Sequence, residues 1–108
     1  MTQRILASGP TKVWKFSLTP NLLNGNLYYT VQMPTLTRVL SAKWNNHTGC
    51  VELWGIFHAK DEQVLVNRKF VIMPTGAEIE YQDLTHIQTI KVPTKGLDYI
   101  FHIFEINN

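Results

Sequence analysis

Turn-forming residues recur along the whole chain and divide it into short runs. Glycine, proline and asparagine mark the breaks, while the runs between them are rich in β-branched and aromatic residues. None of the runs shows helical periodicity. The pattern predicts strands at 12–18, 26–33, 35–44, 50–58, 64–73, 86–92 and 98–106. About seven short strands are typical of an all-β fold, here a single compact antiparallel β-sandwich or barrel-like domain.

The breaks also predict particular turns. Asn24-Gly25 is a strong signal for a β-hairpin, and 45–49 is expected to form another hairpin loop. Residues 77–81 could form an eighth short strand or an extended loop, and 81–86 could make one helical turn. A chain of 108 residues holds one domain. We therefore expect a single β domain over 1–108, in which 1–11 is a leader.

Strand alternation assigns side chains to faces. In 35–44, Leu40, Ala42 and Trp44 share a face that also carries Arg38. Apolar residues occupy both faces of three predicted strands, 50–58, 64–73 and 98–106. A sheet with one face in solvent requires apolar residues on only one face of each strand. Either these strands have a second layer on each side, or one face meets another subunit. With a charged fraction of only 17%, the pattern favours a homo-oligomer, a dimer or tetramer.

Charge and cysteine content limit the classes of partner. The formal net charge is +2 and the basic residues are scattered, which argues against a duplex nucleic-acid binder. Cys50 is the only cysteine, so no intrachain disulfide can form. No segment approaches ~18 apolar residues and the N-terminal apolar stretch is too short for a signal peptide, so we expect no membrane partner and a cytosolic setting.

The chain shows little that performs chemistry. It has no nucleophile–base signature and no metal-ligand spacing, so we predict a binder rather than an enzyme, with no metal and no cofactor. Arg68 stands between Val66 and Phe70 in a strand and must find a partner. That partner could be Glu105, Glu52 or a ligand phosphate.

Three further residues are candidates for ligand contact. Trp44 lies beside a turn, where its ring could stack on a base. Thr75, in the Pro-Thr-Gly turn, could help to present N–H groups to a phosphate, although this sequence is above all a turn. His102 lies in an apolar strand, where a contact with a neighbouring carbonyl is favoured over a ligand contact.

A series of short motifs appears in a fixed order over residues 13–105. The motifs are Trp14-Lys15-Phe16, Met33-Pro34, Leu53-Trp54, Arg68-Lys69-Phe70, Thr75-Gly76 and Phe101-His102-Ile103-Phe104-Glu105. This order resembles a family of small, mostly phage-encoded β proteins that includes the phage anti-CBASS protein 4 sponges. Those proteins assemble as oligomers and sequester cyclic nucleotide signals of bacterial defence without cleaving them.

The resemblance implies a phage immune-evasion protein in the host cytoplasm. Its ligand would be a cyclic dinucleotide, for example 3',3'-cyclic GMP-AMP. Phosphate or base contacts would come from Lys15, Arg68, Thr75 and His102, with Trp44 completing the predicted site. The alternative function is a phage structural or assembly protein that acts through protein–protein contacts, and a small hydrolase of nucleotide signals ranks third.

Overall fold

The computed structural model describes residues 3–5, 9–18, 28–78, 80 and 83–107. Within them, seven strands follow one another along the chain: β1 (Thr11–Leu18), β2 (Tyr28–Pro34), β3 (Arg38–Asn45), β4 (Cys50–His58), β5 (Leu65–Pro74), β6 (Leu84–Pro93) and β7 (Asp98–Ile106). A single turn of 3-10 helix, Ala59–Asp61, connects β4 to β5. The prediction of an all-β fold is confirmed, and each predicted strand is present.

The strands form two antiparallel sheets that pack against each other. The three-stranded sheet has the order β1-β4-β3, and the four-stranded sheet has the order β2-β5-β7-β6. At one seam between the sheets, β3 lies against β6, and at the other β1 approaches β2. The core contains side chains from the inner faces of both sheets. This is the sandwich that the sequence predicts.

The two predicted hairpins have different outcomes. The turn at 46–49 joins β3 to β4, with the Gly49 N–H donating to the Asn45 carbonyl at 2.9 Å and a Gly49 φ of +67°. That hairpin is confirmed. Asn24-Gly25 lies outside the described residues, but the strands that flank it pair elsewhere, β1 with β4 and β2 with β5. In the described residues β1 and β2 therefore do not pair as a hairpin, because a local turn signal does not decide which sheet each strand joins.

The segment after β5 is not a strand where it is described. Ala77, Glu78 and Glu80 have no strand pairing, whereas Ile79 and Tyr81 lie outside the described residues. The possible helical turn at 81–86 is also absent from its described part, because Leu84, Thr85 and His86 begin β6.

The inner faces supply the main hydrophobic core. Met33, Leu53, Phe70 and Ile103 are all fully buried. Burial of a side chain of this kind contributes about 1.5–3 kcal/mol. A second cluster on the outer face of the four-stranded sheet contains Val71, Met73 and Ile106, with Leu84 and Phe104 packed against it. Apolar residues on both faces of β5 and β7 are thus buried within one chain.

A bulge in β3 changes which residues share a face. The pairing with β4 aligns Arg38 with Ile56 and Ala42 with Leu53, and the register shifts between Val39 and Ser41. Since Leu53 and Ile56 lie on opposite faces of β4, so do Arg38 and Ala42. The prediction that Arg38 shares the face of Ala42 and Trp44 is wrong, because one extra residue reverses the alternation.

Candidate functional site

The five residues predicted to bind a ligand do not form one site. Lys15 is on the outer face of the three-stranded sheet, whereas Trp44 is aligned with Val51 of its inner face. Arg68 points into the space between the sheets. Only Thr75 and His102 are in contact, on the outer face of the four-stranded sheet.

Arg68 makes contacts that belong to the fold. Its Nε and Nη2 donate to the two carboxylate oxygens of Glu105, each at 2.6 Å, and its Nη1 donates to the Thr37 carbonyl. The side chains of Arg68 and Glu105 are 19% and 15% exposed. Of the partners considered for Arg68, the structure shows Glu105. A two-point ion pair of this kind fixes β5 against β7.

Thr75 and His102 belong to a chain of hydrogen-bonding groups. His102 Nε2 lies 2.8 Å from Thr75 Oγ1, and His102 Nδ1 lies 3.0 Å from Thr89 Oγ1. The same Thr89 oxygen lies 3.0 Å from His86 Nε2. The ring of His102 is therefore satisfied by two hydroxyl groups, not by the neighbouring carbonyl that the sequence favours. Both ring nitrogens are occupied, so His102 is held as part of the surface of the sheet.

Trp44 is mainly a core residue. Its ring is half-buried and packs against the main core cluster, and its Nε1 donates to Asn46 Oδ1 at 2.7 Å. One edge of Trp44 lines a surface groove of about 620 Å³ at the seam between β3 and β6. It contributes to the wall of that groove rather than to an open stacking surface.

The outer face of the three-stranded sheet brings together an aromatic ring and several cations. Trp54, on the central strand β4, is aligned with Lys15 on β1 and with Ser41 on β3. The next outward-facing position of β4, Glu52, is aligned with Ser17 and Lys43. We call this surface the Trp54 face, formed by Lys15, Arg38, Ser41, Lys43, Glu52, Trp54 and Ile56.

The Trp54 face carries a net positive charge. Lys15 and Lys43 lie on the two strands that flank β4. Arg38 is aligned with Ile56, the next outward-facing position of β4 after Trp54, and its Nη1 donates to the Arg4 carbonyl at 3.2 Å. Glu52 supplies one negative charge. Three cations against one carboxylate leave an excess of positive charge on this face.

Glu52 is held in place by its neighbours. Asn45 Nδ2 donates to Glu52 Oε2 at 3.2 Å, and the Lys15 Nζ lies 3.2 Å from the same oxygen. The hydrogen bond from Asn45, followed by the contact with Lys15 and the charge of Lys43, holds the pKa of Glu52 below its ordinary value, against the opposing effect of burial. The carboxylate therefore stays ionised at neutral pH.

The groove extends the Trp54 face across the edge of the sheet. Lys43, Glu52 and Trp54 line the groove on one side, and residues of β6 from Gln88 to Lys91 line the other. Lys91 adds a cation that is exposed and lies 3.4 Å from the Asp98 carboxylate. Two tryptophan rings, two ammonium groups and a fixed acceptor thus border one depression in the surface.

Sequence reasoning did not assign Lys43, Glu52 or Trp54 to a site. The alternation of β4 places Glu52 and Trp54 on one face, but only the strand register shows that lysines from both neighbouring strands flank them. Trp54 is one of three tryptophans in the chain, and the sequence favours Trp44 instead because of its position beside a turn.

The described residues show neither a cluster of metal ligands nor a membrane-spanning helix. No group of three or more histidine, cysteine, aspartate or glutamate side chains in the described ranges could hold a metal ion. Over the same ranges, no helix is long and apolar enough to cross a membrane.

Comparison with known proteins identifies a family for the chain. A family model described as a domain of unknown function (DUF7352) matches residues 10–108. Neither a curated protein nor a solved structure matches. Because the family model spans nearly all of the sandwich, from the residue before β1 to the end of the chain, the chain belongs to the DUF7352 family.

Proposed function

We propose that this protein binds and sequesters cyclic oligonucleotide signals on the Trp54 face and leaves their bonds intact. The ligand is a cyclic dinucleotide such as 3',3'-cyclic GMP-AMP, and the setting is a phage protein that evades immunity in the host cytoplasm. The observation that carries the proposal is the position of Trp54, on the outer face of a central strand with Lys15 and Lys43 on the strands beside it.

The chemistry of this face suits a flat anionic ligand. An aromatic side chain that stacks on a base contributes about 1–3 kcal/mol. Lys15 is aligned with Trp54, Lys43 is aligned with Glu52, and both lysines are exposed on the strands beside β4, where their ammonium groups can meet the two phosphates of a cyclic dinucleotide. The adjoining groove of about 620 Å³ falls within the range of small-molecule sites, which is about 300–1,000 Å³.

Sequestration at low ligand concentration favours an assembly of more than one chain. Tight small-molecule sites bury most of the ligand surface, whereas the Lys15 side chain on the Trp54 face is 54% exposed. A second copy that covers this face would complete the enclosure, so the proposal includes a dimer or tetramer. Size-exclusion chromatography with light scattering, with and without nucleotide, measures this directly, and a monomer under both conditions contradicts it.

A second candidate function is that of a phage structural or assembly protein. β1 is an edge strand, and its first five residues, Thr11–Lys15, are all exposed. An exposed strand edge can pair with a strand of another protein. The cyclic-nucleotide function is favoured because the Trp54 face places cations and an aromatic ring together, which strand pairing does not require.

The test is binding to a panel of cyclic dinucleotides by calorimetry, followed by denaturation of the complex and chromatography of the released ligand. Recovery of intact nucleotide supports sequestration. Cleavage products would instead indicate the third-ranked function, a hydrolase, and absence of binding to every nucleotide would leave the structural function.

A pair of tryptophan variants locates the site. Trp54→Leu should weaken binding about 10- to 100-fold, as expected for the loss of one stacking contact. Trp14→Leu is the matched control, because Trp14 is 37% exposed but is aligned with Gly55 on the other face of the sheet. Equal affinities for the two variants would remove the Trp54 face from the proposal.

A further inference from the structure

Glu52 is placed to contact a base that stacks on Trp54. The two residues are two positions apart on β4 and face the same side of the sheet. Alternate residues of a strand are about 7 Å apart, so the edge of a base that stacks on Trp54 can approach Glu52. Glu52 also lines the groove that continues from this face.

The carboxylate is prearranged rather than free to move. Asn45 and Lys15 both contact Glu52 Oε2, and within the described part of the chain neither of these contacts uses Oε1. The side chain is only 10% exposed. One oxygen is thus anchored by the protein while the other keeps its capacity to accept a hydrogen bond.

An ionised carboxylate accepts hydrogen bonds and donates none. The Watson–Crick edge of guanine presents two adjacent donors, the N1–H and the N2 amino group. The same edge of adenine presents one donor, the N6 amino group, beside the N1 acceptor. A carboxylate that meets guanine makes two hydrogen bonds, whereas one that meets adenine makes one and places an oxygen against the lone pair of N1.

We propose that Glu52 recognises guanine, so that the protein prefers guanine-containing cyclic dinucleotides over those that contain only adenine. This inference rests on the proposed function, because it requires a base on Trp54 with its phosphates near Lys15 and Lys43. The selectivity resides in one residue, and the affinity common to all cyclic dinucleotides resides in the aromatic ring and the lysines.

The first experiment uses the unaltered chain and changes only the ligand. Calorimetry compares cyclic di-GMP, cyclic di-AMP and cyclic di-IMP, the last of which lacks the N2 amino group but keeps the N1–H. We expect cyclic di-GMP to bind about 10- to 100-fold more tightly than cyclic di-AMP, as for one good two-point base contact. Cyclic di-IMP should have an intermediate affinity.

The second experiment changes the residue. Glu52→Gln keeps the size of the side chain but gives it a donor, which suits adenine better than guanine. The variant should lose about 10-fold or more in affinity for cyclic di-GMP and should not lose affinity for cyclic di-AMP. Lys43→Ala is the control, because it removes a phosphate contact and should weaken both ligands by the same factor.

The outcomes separate the two proposals. Binding of the three ligands with equal affinity overturns the guanine preference but leaves the proposed function standing, and so does an equal loss for both ligands in Glu52→Gln. Failure of the unaltered chain to bind any of the three, and 3',3'-cyclic GMP-AMP as well, overturns the proposed function and this inference together.

Discussion

Removal of one partner from the ion pair between Arg68 and Glu105 should destabilise the fold strongly, and replacement of Arg68 by alanine tests this. The substitution leaves a carboxylate that is 15% exposed without its cation and leaves the Thr37 carbonyl without the Nη1 donor. Loss of one partner from a buried ion pair costs about 3–5 kcal/mol, and partial exposure places this pair near the lower value. A domain of this size has a total stability of about 5–15 kcal/mol. The variant should therefore lose a large fraction of its free energy of unfolding.

The measurement is urea unfolding followed by tryptophan fluorescence, with calorimetry for the melting temperature. A loss of about 3 kcal/mol should lower Tm by roughly 12–24 °C. The double variant Arg68→Met/Glu105→Met should recover most of the loss, because apolar residues of similar size can replace a buried ion pair. This double variant should also bind cyclic dinucleotide normally, since Arg68 lies between the sheets and its hydrogen bonds go to Glu105 and Thr37, not to Trp54 or the lysines beside it.

The exposed ion pair between Lys12 and Glu62 is the matched control. Lys12 Nζ lies 2.7 Å from Glu62 Oε1, but the two side chains are 48% and 27% exposed. Exposed pairs contribute about 0–1 kcal/mol, so Lys12→Ala should change stability little. If Arg68→Ala were no more destabilising than Lys12→Ala, burial of the Arg68 pair would not have the effect that we attribute to it.

Three other substitutions have defined outcomes. Gly55→Ala places a Cβ 2.5 Å from Thr37 Cγ2, so we expect a loss of about 1–3 kcal/mol in urea unfolding; an unchanged midpoint would show that this contact relaxes freely. The lowered pKa of Glu52 adds stability that is fully present above its unfolded-state pKa and is lost as the pH falls through its folded-state pKa. The difference in Tm between the unaltered chain and Glu52→Gln should therefore be constant above about pH 5 and shrink below it. A difference that does not depend on pH would contradict this. Thr89→Val removes the hydroxyl group shared by His86 and His102 and should cost only about 1 kcal/mol, because water can replace it at this exposed position, whereas a loss several times larger would show a buried network.

The strands could be predicted from the sequence because their signals are local. Turn residues mark the ends of each run, and runs of β-branched and aromatic residues lie between them. The pairing of strands could not be predicted in the same way. Asn24-Gly25 is a good turn sequence, yet β1 and β2 join different sheets. That choice depends on which partner buries each strand's apolar face, which is a property of the whole sandwich.

The face of Arg38 shows a second limit. A β-bulge inserts one residue, Leu40, into the pairing with β4 and reverses every later side chain. Nothing in the amino-acid composition of β3 marks the bulge. Strict alternation therefore places Arg38 among core residues, whereas it lies on the Trp54 face.

The candidate site could be predicted only in part. Lys15 is predicted from the sequence as a ligand-binding residue. The sequence also indicates that Arg68 needs a partner, and Glu105, which the structure shows, is among the candidates. It does not supply the group around Trp54, because Lys15, Lys43 and Trp54 come from three strands and meet only through the register of the sheet. Proximity across strands is not encoded in the spacing of residues along the chain.

The alternation of β4 separates two kinds of constraint within nine consecutive residues. Val51, Leu53, Gly55 and Phe57 face inward and are all buried, so changes there alter the fold. Glu52 and Trp54 face outward between them, so changes there can alter what the surface recognises while the packing of the sandwich stays the same. Related chains could thus diverge in ligand choice by exchanging even-numbered positions of this strand and keeping the odd-numbered ones.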